Sequence, residues 1–300
     1  MKKILALLLT SVVLITSCKN DDDTPDVTPP RDRGEEALAA QIEIEAFLET
    51  HFYNYEDFQN PPADFDYKIK IDSIAGDNID KIPLIMQVND TTVTDRIDED
   101  VTYTLYYLNA RQGGGETPNF PDIAILNYEG ISLDLETFDS AVTPVGFDLT
   151  SIVDGLQAAL IQFNTAETRT DNPDGTTTFE NYGVGAVFIP SGLGYFNLPP
   201  SDIPLYEQLI FTFQLFDSFL GDQDNDSVLS ITEDINGNGI EEDDDTDEDG
   251  IPNYADDDDD NDGKLTIDEI KDLNGNIITD PALYPDVDGD GTPDYLDSDS

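Results

Sequence analysis

The residues best suited to chemistry lie in one acidic stretch, DDDNDGKLTIDE, from Asp258 to Glu269. Carboxylates occupy its first, third and fifth positions, a glycine follows at the sixth, and a glutamate ends it at the twelfth. Like charges this close repel one another at neutral pH, so the segment is costly to compact without a cation among them. Alternate oxygen ligands, a glycine that permits a sharp turn and a final bidentate glutamate are what Ca²⁺ requires of a twelve-residue loop. The stretch therefore predicts a Ca²⁺ site.

Four other segments echo this pattern, and a repeat at a nearly fixed period indicates an array of similar units. In chain order the five segments are named loop 1 to loop 5: 222–233 (DQDNDSVLSITE), 234–245 (DINGNGIEEDDD), 245–256 (DTDEDGIPNYAD), 258–269 (the stretch above) and 286–297 (DVDGDGTPDYLD). Loop 1 has Ser227 in place of the glycine, and loops 2, 3 and 5 end in aspartate rather than glutamate.

The expected metal ligands are the side chains at the ligand positions of the five loops and the backbone carbonyl of one lysine. They are Asp222, Asp224, Asp226, Glu233, Asp234, Asn236, Asn238, Asp245, Asp247, Asp249, Asp256, Asp258, Asp260, Asp262, Lys264, Glu269, Asp286, Asp288, Asp290 and Asp297. The loops resemble the calcium-binding type 3 repeats of thrombospondin more than paired EF-hands, although the cysteines of those repeats are missing. This resemblance implies Ca²⁺ as a structural cofactor, so that folding of the segment depends on the metal. The alternative is an acidic tail that only solubilises the protein.

The whole chain is strongly acidic, with 66 Asp and Glu residues against 13 Lys and Arg residues and a formal net charge of −53. This balance argues against nucleic acid as a partner, because phosphate binding needs positive charge, and it favours divalent cations. Residues 221–300 hold 29 acidic residues and only Lys264 and Lys271 as bases. Because 38% of the chain is hydrophobic, the remainder can still bury a core. We therefore predict a separate acidic tail, residues 218–300.

The N-terminal sequence, MKKILALLLTSVVLITSC, has two lysines, an apolar run too short to span a bilayer and small residues before a cysteine. It predicts a signal peptide, residues 1–17. Because Ile15 to Cys18 resembles a bacterial lipobox, we expect Cys18 to carry the lipid that anchors the protein to the outer membrane. Residues 18–34 are then a tether, whose segment Lys19 to Asp23 resembles the surface-export signal of Bacteroidetes lipoproteins or is a plain linker.

Hydrophobic periodicity outlines the elements between tether and tail. Glu35 to Phe52 has apolar residues at helical spacing, and YKIKIDSI, VTYTLYYL and DIAILNYEG, between Tyr67 and Gly130, alternate as strands of an antiparallel sheet do. Residues 151–163, SIVDGLQAALIQF, are the only short helical pattern in the middle of the chain, and residues 164–182 form a long polar loop. Strands, one helix and more strands predict an α+β fold with the helix packed on one face of the sheet.

Six landmarks between Val101 and Phe216 follow, in order, those of FKBP-type peptidyl-prolyl isomerases. They are NYEG (127–130), TFDSA (137–141), P-x-x-F-x-L (144–149), IVDGL (152–156), VFIPSGLGY (187–195) and IP…LIFTFQL (203–215). The resemblance implies a five- or six-stranded antiparallel sheet wrapped around the short helix, in a domain of residues 100–217. Residues 35–99 are then an N-terminal extension of one helix and strands.

The resemblance also implies a pocket for proline, which needs no cofactor. Its expected residues are Tyr128, Phe138, Asp139, Val145, Ile152, Val153, Leu156, Tyr195, Ile203 and Phe211. By the family pattern, the backbone N–H of Val153 and the hydroxyl of Tyr195 hold carbonyl groups of the ligand. The rings of Tyr128 and Phe211 and the floor residue Leu156 grip the proline. Phe138 and Ile203 line the wall, and Asp139 polarises the edge.

Isomerisation of an X-Pro bond must break amide resonance, a barrier of about 18–20 kcal/mol, and the twisted amide is less charge-separated than the planar one. A dry apolar pocket therefore favours the transition state over the ground state. The sequence departs from the family in several places: Leu156 stands where tryptophan is usual, Val145 replaces a phenylalanine, the stretch between Leu149 and Ile152 is shorter than usual, and the polar loop 164–182 is longer.

We therefore expect an isomerase that acts on proline-containing exported proteins in the cell envelope, at the periplasmic face or the cell surface. A different class is also open, a surface adhesion scaffold whose FKBP-like domain only binds. A third reading makes the acidic tail a surface for basic unfolded chains.

Overall fold

The computed structural model describes residues 29–299, so the expected signal peptide, Cys18 and most of the tether lie outside the described residues. The chain divides into two units, Met1–Pro30 and Arg31–Ser300, and the second contains every helix and strand described below. Within residues 29–299, no helix combines the length and the apolar character needed to cross a bilayer.

The second unit mixes helices and antiparallel strands. Its helices are α1 (Arg33–Thr50), α2 (Tyr55–Gln59), α3 (Asp154–Leu160) and α4 (Thr266–Glu269). Its strands are β1 (His51–Tyr53), β2 (Ile71–Ser73), β3 (Asn89–Thr94), β4 (Thr102–Arg111), β5 (Ile123–Ser132), β6 (Thr137–Asp148), β7 (Thr168–Asp171), β8 (Thr177–Glu180), β9 (Gly183–Ile189) and β10 (Leu209–Phe219).

Six strands form the main sheet in the order β3-β4-β9-β10-β5-β6, and every neighbouring pair is antiparallel. Two smaller sheets pair β1 with β2 and β7 with β8. The main sheet includes β3 as an edge strand, and β3 lies before residue 100. The sheet therefore contains part of the predicted N-terminal extension, residues 35–99. The long polar loop 164–182 contains the hairpin β7–β8. The mixed helix and antiparallel-sheet class predicted above is confirmed.

The prediction of a strand throughout YKIKIDSI is wrong for its first half, because only Ile71–Ser73 is extended and it pairs with β1 outside the main sheet. The reason is that the side chain of Asn54 forms hydrogen bonds with the backbone of this segment. Its Oδ1 accepts from the N–H of Lys70 at 2.9 Å, and its Nδ2 donates to the carbonyl of Lys68 at 3.2 Å. Tyr67 has a φ of 55°, which no strand residue adopts.

The central strands of the main sheet, β9 and β10, are buried on both faces, whereas its edge strands β3 and β6 are largely exposed. Successive residues of β10 alternate, so Phe211 and Phe213 belong to the core shared with α3, while Ile210 belongs to the core shared with α1. Helix α1 reaches that second core through residues spaced for one helical face, Ala40, Ile44, Phe47 and Leu48. The helix begins at Arg33, slightly before the predicted position, since Oδ1 of Asp32 caps the N–H of Glu35 at 2.9 Å.

Helix α3 lies unusually close to the sheet because its second residue is glycine. A Cβ at Gly155 would stand 2.5 Å from Cγ2 of Ile189 on β9, well inside contact distance. This close approach fixes the N-terminal end of α3, where Val153 and Ile152 stand. Leu156, Ala159 and Leu160 then face the core.

The tail packs on the sheet domain and has a small core of its own. Val228 of loop 1, Ile270 after α4 and Tyr295 of loop 5 are buried against one another. At the joint, Nε2 of Gln223 donates to the carbonyl of Pro121 at 2.7 Å. The ring of Tyr254 meets that of Phe120 edge-on at 5.9 Å. Residues 218–299 are thus a compact segment held to the end of the sheet.

Candidate functional site

Four aromatic rings from β5, β6 and β10 gather at one end of the α3-facing core. The ring of Tyr128 lies 4.9 Å from that of Phe147 and 6.1 Å from that of Phe211. Phe211 in turn meets Phe138 edge-on at 5.6 Å. Edge-to-face and tilted pairs at these separations are favourable, so the rings form a stable apolar wall.

Gly130 makes this gathering possible. A Cβ at its position would lie 2.6 Å from Cε2 of Phe138 and 3.0 Å from Cε1 of Phe211. No side chain fits there, so the glycine of the NYEG landmark has a packing role that the strand periodicity alone does not reveal. The cluster would have to open if Gly130 were replaced.

A hydrogen bond joins the polar edge of the cluster. The hydroxyl of Tyr128 donates to Oδ2 of Asp139 at 2.6 Å, and Oδ1 of Asp139 accepts from the N–H of Ser140 at 2.8 Å. Burial raises the pKa of Tyr128 to about 12, and the hydrogen bond and charge of Asp139 add to the shift. The tyrosine therefore remains a neutral donor throughout the physiological range.

Two donors beside the cluster are free to bind a ligand. The N–H of Val153 precedes α3 and has no acceptor in the described part of the chain, while its carbonyl accepts from Leu156 and Gln157 within the first turn. The hydroxyl of Tyr195 likewise has no hydrogen-bond partner among residues 29–299. Burial raises the pKa of Tyr195, and the charge of Asp139 raises it further, which places the two side chains near each other.

The structure brings most of the expected pocket residues together. Ile152, Leu156 and Ile203 belong to the same core as the aromatic rings. Leu156 is only 2% exposed and Phe211 4%, so the floor offers a ligand little surface. A cleft of about 410 Å³ opens on the wall side and is lined in part by Phe138 and Ile203.

Val145 is the exception among the expected pocket residues. It is half-buried opposite Leu126 and does not pack against this core, whereas Phe147, two residues later on the same strand face, does. Sequence reasoning quoted Phe147 within a landmark but did not select it as a pocket residue. The period of two along β6 is the signal that would have placed it there.

A second cavity, of about 210 Å³, lies on the other side of Tyr128. Lys68, Lys70, Glu129 and Gln214 line part of it. Apolar side chains, among them Ile69 and Phe213, line another part of it, and Tyr128 is the one expected pocket residue that contributes to it.

The five loops share one backbone geometry. In each, the N–H of the fifth residue donates to the side chain of the third, and the N–H of the seventh donates to the side chain of the fifth. The fourth and sixth residues have positive φ throughout: Asn225 and Ser227, Gly237 and Gly239, Glu248 and Gly250, Asn261 and Gly263, Gly289 and Gly291. Loop 1 therefore adopts the same turn as the others although Ser227, at a φ of 80°, is not a glycine.

The carboxylates of these loops converge on common points. In loops 1, 3, 4 and 5, ligand oxygens from the first, third and fifth residues lie within 4.8 Å of one another. In loop 2 these positions are Asp234, Asn236 and Asn238, and the two asparagine side chains donate to Asp243 at 2.9 Å. Two of the twelfth residues within the described range join such a group: Glu233 lies with Asp226 and Asp259, and Asp245, which ends loop 2, is also the first residue of loop 3 and lies with Asp247 and Asp249.

Buried oxygens without partners test whether a cation fits these loops. Within residues 29–299, the expected ligands with such an atom are Asp222, Asp224, Asp226, Glu233, Asp245, Asp247, Asp258, Asp260 and Glu269. A buried carboxylate oxygen with no donor is unfavourable, and a hard cation would satisfy several at once. The donor set, oxygen only, suits Ca²⁺. In loop 4, Oε1 of Glu269 accepts from Nζ of Lys264 at 3.1 Å, while Oε2 stays unpartnered.

Burial and neighbouring carboxylates also raise the pKa of a side chain in loop 1. Burial raises the pKa of Glu233 to about 10, and the charges of Asp224, Asp226, Asp259 and Asp222 raise it further. These neighbours place five carboxyl groups around one buried position. Asp259 was not among the expected ligands; it is the second residue of loop 4, where the twelve-residue pattern carries no ligand.

Comparisons with known proteins cover the two parts of the chain separately. Residues 223–285 match the family described as BamM C-terminal, a range that includes loop 1 after its first residue and all of loops 2 to 4. No curated protein matches the chain.

Two solved structures resemble the fold weakly. FkpA from Escherichia coli is 18% identical over 61% of this chain, with a TM-score of 0.35, and the chain spans 61% of its length. A peptidyl-prolyl cis-trans isomerase from Pseudomonas syringae pv. tomato is 14% identical over 64% of this chain and 98% of its own, with a TM-score of 0.36. Similarity at this level carries no argument about activity, so the function proposed below is based on the residues and their geometry.

Proposed function

We propose that the protein binds X-Pro segments of exported polypeptides at the aromatic cluster and accelerates their cis-trans isomerisation. One observation carries the proposal: two free donors, the N–H of Val153 and the hydroxyl of Tyr195, lie beside an apolar cluster of Tyr128, Phe138 and Phe211. The order of the six FKBP-like sequence landmarks supports it independently.

Isomerisation of an X-Pro bond requires from the protein little more than a pocket of suitable shape and polarity. The two donors fix carbonyl groups of the peptide, and the apolar rings surround the proline and exclude water. Because the twisted amide is less polar than the planar one, transfer into such surroundings costs the transition state less than the ground state. Tyr128 remains protonated and holds Asp139 at the edge, where its charge orients the peptide without transferring a proton.

A second candidate function is peptide binding without turnover. The burial of Leu156, the floor residue of the expected pocket, favours it. Leu156 has neither the area nor the N–H of tryptophan, and its 2% exposure leaves a proline ring little to rest on. Such a protein would be a scaffold that recognises proline-rich partners at the cell surface.

Cis-trans exchange of Leu-Pro and Phe-Pro peptides separates these functions. NMR exchange spectroscopy with residues 19–300 in Ca²⁺ should show acceleration by the wild type. Tyr195→Phe removes one donor from a ligand but no bond within the described protein, so it should lower kcat/KM about two- to tenfold, the net value of one hydrogen bond. Binding with no exchange enhancement would select the scaffold, and neither binding nor exchange would exclude both.

The acidic tail is proposed to bind Ca²⁺ through the ligands of loops 1 to 5. The unpartnered buried oxygens and the common turn geometry support this. We also propose that the lipid on Cys18 anchors the protein to the outer membrane, which the lipobox-like sequence and the tail's match to the BamM C-terminal family support. Extracellular loops of this kind need affinities of only about 10⁻⁴–10⁻³ M.

Calorimetric titration with Ca²⁺ and native mass spectrometry test the tail directly. The proposal predicts several bound ions and release of all of them to a chelator. Absence of heat and of Ca²⁺ adducts in the folded protein would show that the acidic tail serves solubility alone.

A further inference from the structure

The deepest acidic group of the molecule joins two loops that are far apart in sequence. Asp226 and Glu233 belong to loop 1 and Asp259 to loop 4, yet ligand oxygens of the three lie within 4.8 Å of one another. Their exposures are 1%, 0% and 1%. No other group of potential ligands within residues 29–299 has all its members buried.

Each of the three side chains directs unpartnered oxygen into this space. Oδ2 of Asp226, both carboxylate oxygens of Glu233 and Oδ1 of Asp259 are buried without a hydrogen-bond partner. Because Ca²⁺–oxygen distances are about 2.3–2.6 Å, two ligands of one ion lie at most about 5 Å apart. The three carboxylates thus satisfy the spacing of a single coordination sphere.

Nothing cationic in the described part of the chain reaches them. The lysines of the tail are engaged elsewhere, Lys264 with Glu269 and Lys271 with Asp268. Three ionised carboxylates at this spacing repel one another strongly in a medium of low polarity, so a bound cation would stabilise the folded arrangement.

Asp259 is held in place for such a role. Its Oδ2 accepts from Oγ1 of Thr266 at 3.0 Å, and its N–H donates to the same hydroxyl at 3.3 Å. Thr266 is itself fully buried at the start of α4. This bond fixes the carboxylate and leaves Oδ1 without a hydrogen-bond partner, and outer-shell partners of metal ligands act in the same way.

We infer that Asp259 is a ligand of the divalent cation bound by loop 1, shared with Asp226 and Glu233, so that one ion ties loop 1 to loop 4. The inference rests on the proposal that the tail binds Ca²⁺, and it adds a ligand outside the twelve-residue pattern. The ion then fastens the first loop to the fourth across Val228 and Ile270, the small core beside it.

The test compares Asp259→Asn with Asp257→Asn in residues 19–300. Asp257 is exposed, lies two residues away and belongs to no carboxylate group in the described structure, so both variants remove one charge from the same segment. In calorimetry with Ca²⁺, Asp259→Asn should weaken one ion at least about tenfold, as loss of a ligand or its support does elsewhere. Asp257→Asn should titrate like the wild type.

Luminescence lifetimes of bound Eu³⁺ in H₂O and D₂O give a second readout, because loss of Asp259 should add coordinated water at one site. If Asp259→Asn does not fold, Thr266→Val keeps every carboxylate and should still weaken that ion severalfold. Two outcomes would overturn the shared ligand but not the calcium proposal. In one, Asp259→Asn binds Ca²⁺ as tightly as the wild type. In the other, Asp259→Asn and Asp257→Asn lose Ca²⁺ affinity equally. A wild type that binds no Ca²⁺ would overturn the shared ligand and the calcium proposal together.

Discussion

At the scale of single residues, Ser227 is where loop 1 departs from its relatives. Its φ of 80° lies in the left-handed region, which costs an ordinary residue about 1–2 kcal/mol and glycine almost nothing. The other loops place glycine at this position. Loop 1 therefore carries a local strain that the rest of the tail offsets.

Ser227→Gly should raise the free energy of unfolding of the Ca²⁺-loaded protein by about 1 kcal/mol, because it relieves that strain. Urea denaturation followed by circular dichroism measures the change. Ser298→Gly, also in the tail but without positive φ, is the control and should be neutral or slightly destabilising. Equal effects of the two substitutions would contradict the argument from strain.

Residue chemistry was predictable from the sequence where a pattern repeats or a family landmark is present. The repeated spacing selected loop residues whose carboxylate oxygens lie close together, and the landmarks selected Tyr128 and Asp139, which are hydrogen-bonded, and Tyr195; their roles stay predictions. Asp259 could not be predicted, since its partners Asp226 and Glu233 reach it only through tertiary folding. The period of two puts Val145 and Phe147 on the same face of β6, but it does not say which of them packs on Tyr128.

At the scale of elements, the site depends on how closely α3 approaches β9. Gly155→Ala would place a Cβ 2.5 Å from Cγ2 of Ile189, so the helix must shift. We expect a loss of stability of about 1–3 kcal/mol, the usual cost of overpacking, and weaker peptide binding as Val153 moves. Thermal unfolding and peptide titration measure the two effects.

Gly146→Ala is the matched control, because its Cβ would meet Ile123 and Ile125 at 3.5 Å, an ordinary contact. Its stability and peptide affinity should stay near those of the wild type. A Gly155→Ala protein as stable as Gly146→Ala would show that α3 is not held by this contact.

Arg96 connects the elements of the site to those of the tail. Its guanidinium pairs with Asp154, the first residue of α3, at 3.2 Å and with Glu242 of loop 2 at 2.7 Å. It also lies over the ring of Phe120. A change in the tail can therefore reach the helix end that carries Val153.

Arg96→Gln should remove the effect of Ca²⁺ binding in the tail on peptide binding at the aromatic cluster. In the wild type we expect chelation of Ca²⁺ to weaken peptide binding about fivefold, within the usual range of coupling between sites. Arg96→Gln should show the same affinity with and without Ca²⁺. Arg169→Gln removes an equally exposed arginine that pairs with Asp217 and should behave as the wild type. Unchanged Ca²⁺ dependence in Arg96→Gln would rule out this connection.

The elements themselves were predictable where hydrophobic periodicity was strong. Helix α3 lies within its predicted stretch, and β4 and β5 begin within theirs but extend to Arg111 and Ser132, beyond the predicted ends at Leu108 and Gly130. Residues 67–70 have the same alternation, yet Asn54 binds their backbone and keeps them out of the sheet. A side chain that competes for backbone hydrogen bonds leaves no trace in periodicity.

At the scale of the whole molecule, charge dominates. About half of the net charge of −53 falls in the tail, where residues 221–300 hold 29 acidic residues against two lysines, and the described tail encloses carboxylates and a small apolar core. Such a segment is compact only when its charge is neutralised from within.

Removal of Ca²⁺ should therefore swell the tail while the sheet domain stays folded. Small-angle scattering should show a larger radius of gyration in chelator, and 1 M salt should recover part of the compaction by screening. Near-ultraviolet circular dichroism of the sheet aromatics is the control and should change little. Scattering curves that coincide in Ca²⁺ and in chelator would contradict a metal-ordered tail.

The central claim is that an X-Pro segment binds at the cluster of Tyr128, Phe138 and Phe211. The most direct measurement is intermolecular nuclear Overhauser contacts between a Leu-Pro peptide and residues 19–300 in Ca²⁺. The account predicts contacts from the proline ring to these aromatic rings, with a shift of the Val153 amide. Contacts confined to the cavity beside Lys68 and Lys70, or none in a folded protein, would contradict it.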